Sequence, residues 1–177
     1  MLAYQQPESN ARDPMEGVTM MLADRRKALL MAVLASGTLD ILSAFAFSAM
    51  AGVTPGQVLR FVASGPFGDG MREGGTAAAA LGLGVHYALM TVMVTGYFLI
   101  AGRVEAARRY WYLVGPLYGI AIYLVMYWIV VPTRFGTEPS LELWKVGNAL
   151  FSHIVCVGLP MAYIAARAFR PNQPIIT

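Results

Sequence analysis

Polar and apolar positions in this chain separate into long blocks. Four apolar stretches, at about residues 28–52, 76–102, 111–131 and 144–166, are divided by short polar segments. Each reaches the roughly 20 apolar residues that a membrane-spanning helix needs. The pattern predicts an all-α membrane protein, a four-transmembrane-helix bundle over residues 28–168. Residues 1–27 read as a flexible cytoplasmic tail, with a short surface helix around Val18 to Leu22, and residues 169–177 as a short cytoplasmic C-terminal tail. The first apolar stretch is longer than the ~7–15 residues of a signal-peptide core, so it reads as an uncleaved first span.

One polar interval carries structure of its own. In "TPGQVLRFVASG", Thr54 is placed as an N-cap, Pro55 as the first helical residue, and Gln57 falls at the capping-box spacing. Val58, Leu59, Phe61 and Val62 would form an apolar side and Arg60 a wet one. Too short to span, this helix is expected to be interfacial or re-entrant and to stop at Gly65-Pro66. The glycines of the following "GPFGDGMREGG" lack the Gly-Lys-Ser/Thr ending of a phosphate loop and read as turn residues.

Composition sharpens the class. Charged residues make up 13% of the 177 residues, against about a quarter in soluble domains, and apolar surface facing lipid explains the deficit. Nine of the Lys and Arg residues lie before the first span, between the second and third, or after the fourth; only Arg60, Arg72, Arg134 and Lys145 lie on the other side. This bias predicts that both termini are cytoplasmic. It also accounts for the net charge of +3 without a nucleic-acid partner. Tyr110 to Tyr112 on one boundary, and Tyr127, Trp128 and Trp144 on the other, read as aromatic belts. The single Cys156 reads as a small packed hydrophobe.

Small residues mark helix contacts. Ala78, Gly82 and His86 recur every four residues in the second span, and Gly115 and Gly119 form a Gly-x-x-x-Gly step in the third. Such spacing lets helix backbones approach closely in lipid. It would serve the bundle itself, a homodimer or a membrane-protein partner.

Asp40, in "ASGTLDILSAF", is the one acidic residue inside a span. It shares a helix face with Ser36, Ser43 and Ala44. Counting from the helix ends at ~1.5 Å per residue, Asp40, His86 and His153 all lie roughly 13–16 Å below the outer surface. Tyr123 reaches a comparable level and Asn148 lies nearer the outer mouth. A charge at mid-bilayer is unfavourable by about 2.5–3.5 kcal/mol on insertion scales and usually has a partner. The three residues are therefore expected to face inward at one level, with a histidine within hydrogen-bond reach of Asp40.

Three readings of this constellation stand. The leading one is a structural cluster that organises the bundle or a partner interface in a non-enzymatic membrane component. The second is a small proton-coupled permease, or a subunit of one, using Asp40 with His86 or His153. The third is a metal site formed by Asp40, His86 and His153. No Gly-x-Ser-x-Gly elbow supports a hydrolase, and no cofactor motif is present.

The segments "GTLDIL", "LRFVASG" with its later Gly-Gly turn, "LGLGVHY", "LYGIAIYLVM" running into "VVP", and "HIVCVGLPMA" together resemble a family of small, uncharacterised four-span proteins of the bacterial inner membrane, distantly YagU-like. The likeness covers about residues 30 to 168. It implies a bacterial inner-membrane location and a helical bundle, and no reaction or site residue.

Overall fold

The computed structural model describes residues 14–169. Six helices follow in order: α1 (Pro14–Ala49), α2 (Pro55–Phe67), α3 (Thr76–Arg103), the short α4 (Glu105–Arg109), α5 (Trp111–Phe135) and α6 (Leu143–Ala168). A single 3-10 turn, Asp69–Arg72, precedes α3. No strand occurs among the described residues. Four of the helices are long and apolar enough to cross a membrane, over Met21–Ala49, Thr76–Arg103, Trp111–Phe135 and Leu143–Ala168. The protein is an all-α membrane bundle.

The first helix starts well ahead of Ala28. It runs unbroken from Pro14, and the collar Asp24–Lys27 and the segment expected as a surface helix lie inside it. Ala, Leu, Arg and Lys are all strong helix formers, so the loss of apolar character at the collar does not end the helix. Polarity marks where α1 leaves the apolar layer; it does not mark where α1 ends. The remainder of the two expected tails, residues 1–13 and 170–177, lies outside the described residues.

Helix α6 is the most enclosed of the four, with half of its apolar window buried inside the protein. It packs against α1 and α5 along its length and touches α3. The core sits between α1, α3 and α6, where Ala32, Val94, Tyr97, Val157, Met161 and Ala165 are fully buried. The small residues face inward as expected. A Cβ on Gly115 would lie 2.6 Å from the Cβ of Ala162, and one on Gly119 would run into the backbone of His153, so α5 and α6 are in backbone contact at both glycines. Gly82 packs differently from a span-to-span seam, because its missing side chain admits the carbonyl of Leu59 in α2. These faces are occupied within the chain.

The capping box of α2 is present as read: the Thr54 side chain accepts the Gln57 backbone N–H, and the Gln57 side chain takes the Thr54 N–H at 2.8 Å. The helix does not stop at Gly65-Pro66. It continues through Pro66 to Phe67 and ends at Gly68, whose φ of 93° needs a residue without a Cβ. The carbonyls of Ser64 and Gly65 near that end accept N–H groups of Arg134, from the end of α5. A cation on the terminal carbonyls satisfies them and complements the helix dipole. Phe61 does not pack inward either. It is exposed and stacks on Phe135 with ring centroids 4.8 Å apart.

Candidate functional site

Asp40 sits on the face of α1 that meets α6, as its spacing predicted. Its neighbours on that face tie the helices together: Ser36 Oγ donates to the Val157 carbonyl at 3.3 Å, and the hydroxyls of Ser43 and Ser152 lie 2.7 Å apart. A cavity of about 400 Å³ opens beside this seam, between α1, α5 and α6. Asp40 and Phe47 contribute to its α1 wall, Tyr123 and Tyr127 form the α5 wall, and Asn148 and His153 belong to the α6 wall. Trp144 and Lys145 lie toward the mouth, where α6 begins. The Lys145 ammonium is 2.8 Å from Glu142.

The structure brings Asp40, His153, Tyr123 and Asn148 to one cavity. His86, on α3, is not part of the cavity lining, although it approaches the Asp40 carboxylate. The expected hydrogen bond between Asp40 and a histidine is not made. His86 Nδ1 lies 4.0 Å from the Asp40 carboxylate, a distance for charge interaction and too long for a hydrogen bond. The reason is on the opposite ring nitrogen. Nε2 lies 2.8 Å from the Gly37 carbonyl, which can only accept, so Nε2–H donates there and anchors the ring. No hydrogen bond to the Asp40 carboxylate occurs among the described residues, although its side chain is only 15% exposed.

His153 is held in the same fashion. Its Nδ1–H donates to the Ala149 carbonyl at 2.8 Å, one turn earlier, while its ring meets those of Tyr123 and Tyr127 edge-on at 6.2 and 5.9 Å. Each histidine thus commits one N–H to a backbone carbonyl and keeps the other nitrogen free of backbone. His86 presents its free Nδ1 toward the Asp40 carboxylate while Nε2–H stays on Gly37.

Two of the three cavity-forming helices depart from α geometry at this level. Residues Val125–Val130 of α5 and Ser152–Gly158 of α6 form wide π turns. Tyr127 lies in the first, Ser152 and His153 in the second. Such turns occur frequently at functional sites because they re-aim side chains that an α-helix would carry elsewhere.

Tyr127 and Trp144 were expected in the aromatic belt, and the structure gives both a second role as cavity wall. The signal for Tyr127 was available: it lies four residues after Tyr123, on the same helix face, and their rings are 5.2 Å apart. The metal set does not assemble. Among the described residues no three of His, Cys, Asp and Glu converge closely enough to hold an ion, and the two histidine rings are held on separate carbonyls, His86 on Gly37 and His153 on Ala149. No protein-family model, curated protein or solved structure matches the chain.

Proposed function

We propose that this membrane protein is a small, non-enzymatic permease or permease subunit in which Asp40, on the cavity wall, exchanges a proton with His86 or His153. The observation that carries this reading is the state of Asp40: a carboxylate at mid-span, lining an open cavity, with no hydrogen-bond partner among the described residues. A carboxylate whose purpose is to clip helices together would be satisfied by hydrogen bonds from the helices it joins. Here the clipping is done by other groups, the Ser36, Ser43–Ser152 and His86 bonds to α3 and α6.

The bias of the basic residues supports cytoplasmic termini, with the cavity opening to the outside, and the family resemblance supports a bacterial inner membrane. The test is direct. Infrared difference spectra of the protein in liposomes between pH 5 and pH 8 should contain a carboxylic C=O band that Asp40→Asn removes. Spectra without such a band would sink proton exchange at Asp40.

The second reading, a component whose polar cluster organises the bundle, is favoured by His86 alone, since its Nε2–H joins α3 to α1. Under that reading His86 substitutions would lower stability and leave the infrared band unchanged.

A further inference from the structure

We infer that the cavity is a binding site for a small alkylammonium cation, held by the Asp40 carboxylate and by the faces of the surrounding aromatic rings. This deepens the permease reading and rests on it, since cation and proton would compete for one carboxylate. Rings come from all three walls: Phe47 of α1, Tyr123 and Tyr127 of α5, and Trp144 of α6. Aromatic faces carry negative potential and attract cations, most strongly where water is excluded, and rings grouped around one carboxylate are the usual recognition chemistry for substituted ammonium groups. The cavity, at about 400 Å³, falls in the roughly 300–1,000 Å³ range of small-molecule sites.

Charge on the lining favours the same sign. Lys145 is the one cationic side chain of the wall with a permanent charge, and it is paired with Glu142 at 2.8 Å near the mouth. Among the described residues Asp40 has no permanent cation beside it: its neighbour His86, with Nδ1 at 4.0 Å, carries charge only when protonated. The described residues form no cluster of His, Cys, Asp and Glu that could hold a metal ion. A hydrophobic ammonium ion, by contrast, meets a carboxylate for its charge, an amide at Asn148, and apolar surface for its alkyl groups. The titratable groups around Asp40 are His153 of α6 and Tyr123 and Tyr127 of α5 in the same cavity wall, and His86 of α3 at 4.0 Å. None of them adds a fixed positive charge.

The experiment compares choline with its uncharged carbon isostere, 3,3-dimethylbutan-1-ol, by isothermal titration calorimetry on full-length protein in nanodiscs of phosphatidylglycerol and phosphatidylethanolamine. Choline should bind at least tenfold more tightly than the isostere. Asp40→Asn should remove that preference, and Tyr127→Leu, at a half-exposed position that tolerates change, should weaken choline several-fold more than the isostere. Equal affinity for the two probes, no binding of either, or a preference that survives Asp40→Asn would overturn the inference. Proton exchange is read separately from the infrared band, so the band can persist while cation binding fails. Repeating the titration in phosphatidylcholine discs identifies the source: unchanged affinity assigns the site to a free solute, and competition assigns it to a choline headgroup.

Discussion

Substituting Gly119 by alanine tests the contact that shapes one side of the cavity. A Cβ there would lie 2.9 Å from the His153 carbonyl carbon and 3.0 Å from Ile154 Cα, with the His153 oxygen closer still. Ordinary carbon contacts are about 3.5–4.0 Å, so α5 and α6 must part by more than roughly half an ångström. Overpacking of this kind destabilises by about 1–3 kcal/mol. The higher helix propensity of Ala offsets about 0.5–1 kcal/mol of that, leaving a net loss of up to about 2.5 kcal/mol. Gly147, also within α6, has nothing within 4 Å of the same hypothetical atom. Gly147→Ala should therefore gain the propensity term alone. The assay is reversible unfolding in mixed micelles, following tryptophan fluorescence, with both variants measured against the unsubstituted protein. A Gly119→Ala protein as stable as Gly147→Ala would refute the backbone contact, and with it the positioning of His153 by α5.

Other substitutions separate structure from chemistry. Asp40→Asn removes a charge from mid-span, and relieving part of the ~2.5–3.5 kcal/mol insertion penalty should leave the melting temperature unchanged or raise it by a few degrees; a fall of 5 °C or more would return Asp40 to a structural role. Arg134→Ala takes the guanidinium from the Gly65 carbonyl and leaves the Ser64 carbonyl only its Gly68 N–H, and should destabilise by about 1–3 kcal/mol, with proteolysis in the segment after α2 becoming faster; an unchanged cleavage rate counts against the cap. Thr54→Val should weaken the start of α2 by about 1 kcal/mol, measurable as increased amide exchange confined to its first turn. A double-mutant cycle on Ser43→Ala and Ser152→Ala should return a coupling of about 0.5–1.5 kcal/mol, and additivity would deny the hydroxyl pair.

Much of this architecture was legible because membrane constraints leave few alternatives. Backbone polar groups in lipid must be satisfied within the helix, so apolar length alone marked the four spans, and Thr54 with Gln57 marked α2. Inward placement of Asp40 followed from its serine neighbours. What stayed hidden depended on departures from ideal geometry. Depth counted at a uniform rise put Asp40, His86 and His153 at one level, but could not show that Gly37 and Ala149 carbonyls would claim one nitrogen of each ring. Tyr127 and Trp144 carried the ordinary signature of an interface aromatic, which concealed their place in the wall. The helical course through Pro66 depended on Arg134, some seventy residues away in the chain and invisible to any local rule.

The wide turns in α5 and α6 have a consequence for how the chain can vary. Each acts as a one-residue insertion absorbed without breaking the helix, dividing it into two segments with independent rotational phase. In α6, the segment before Ser152–Gly158 orients the mouth of the cavity, while the segment after it presents Met161, Ala162 and Ala165 to the core. Deleting one residue from that turn would rotate one segment against the other by about 100°. The mouth could thereby be re-registered to line the cavity with different side chains, while the buried half kept its neighbours.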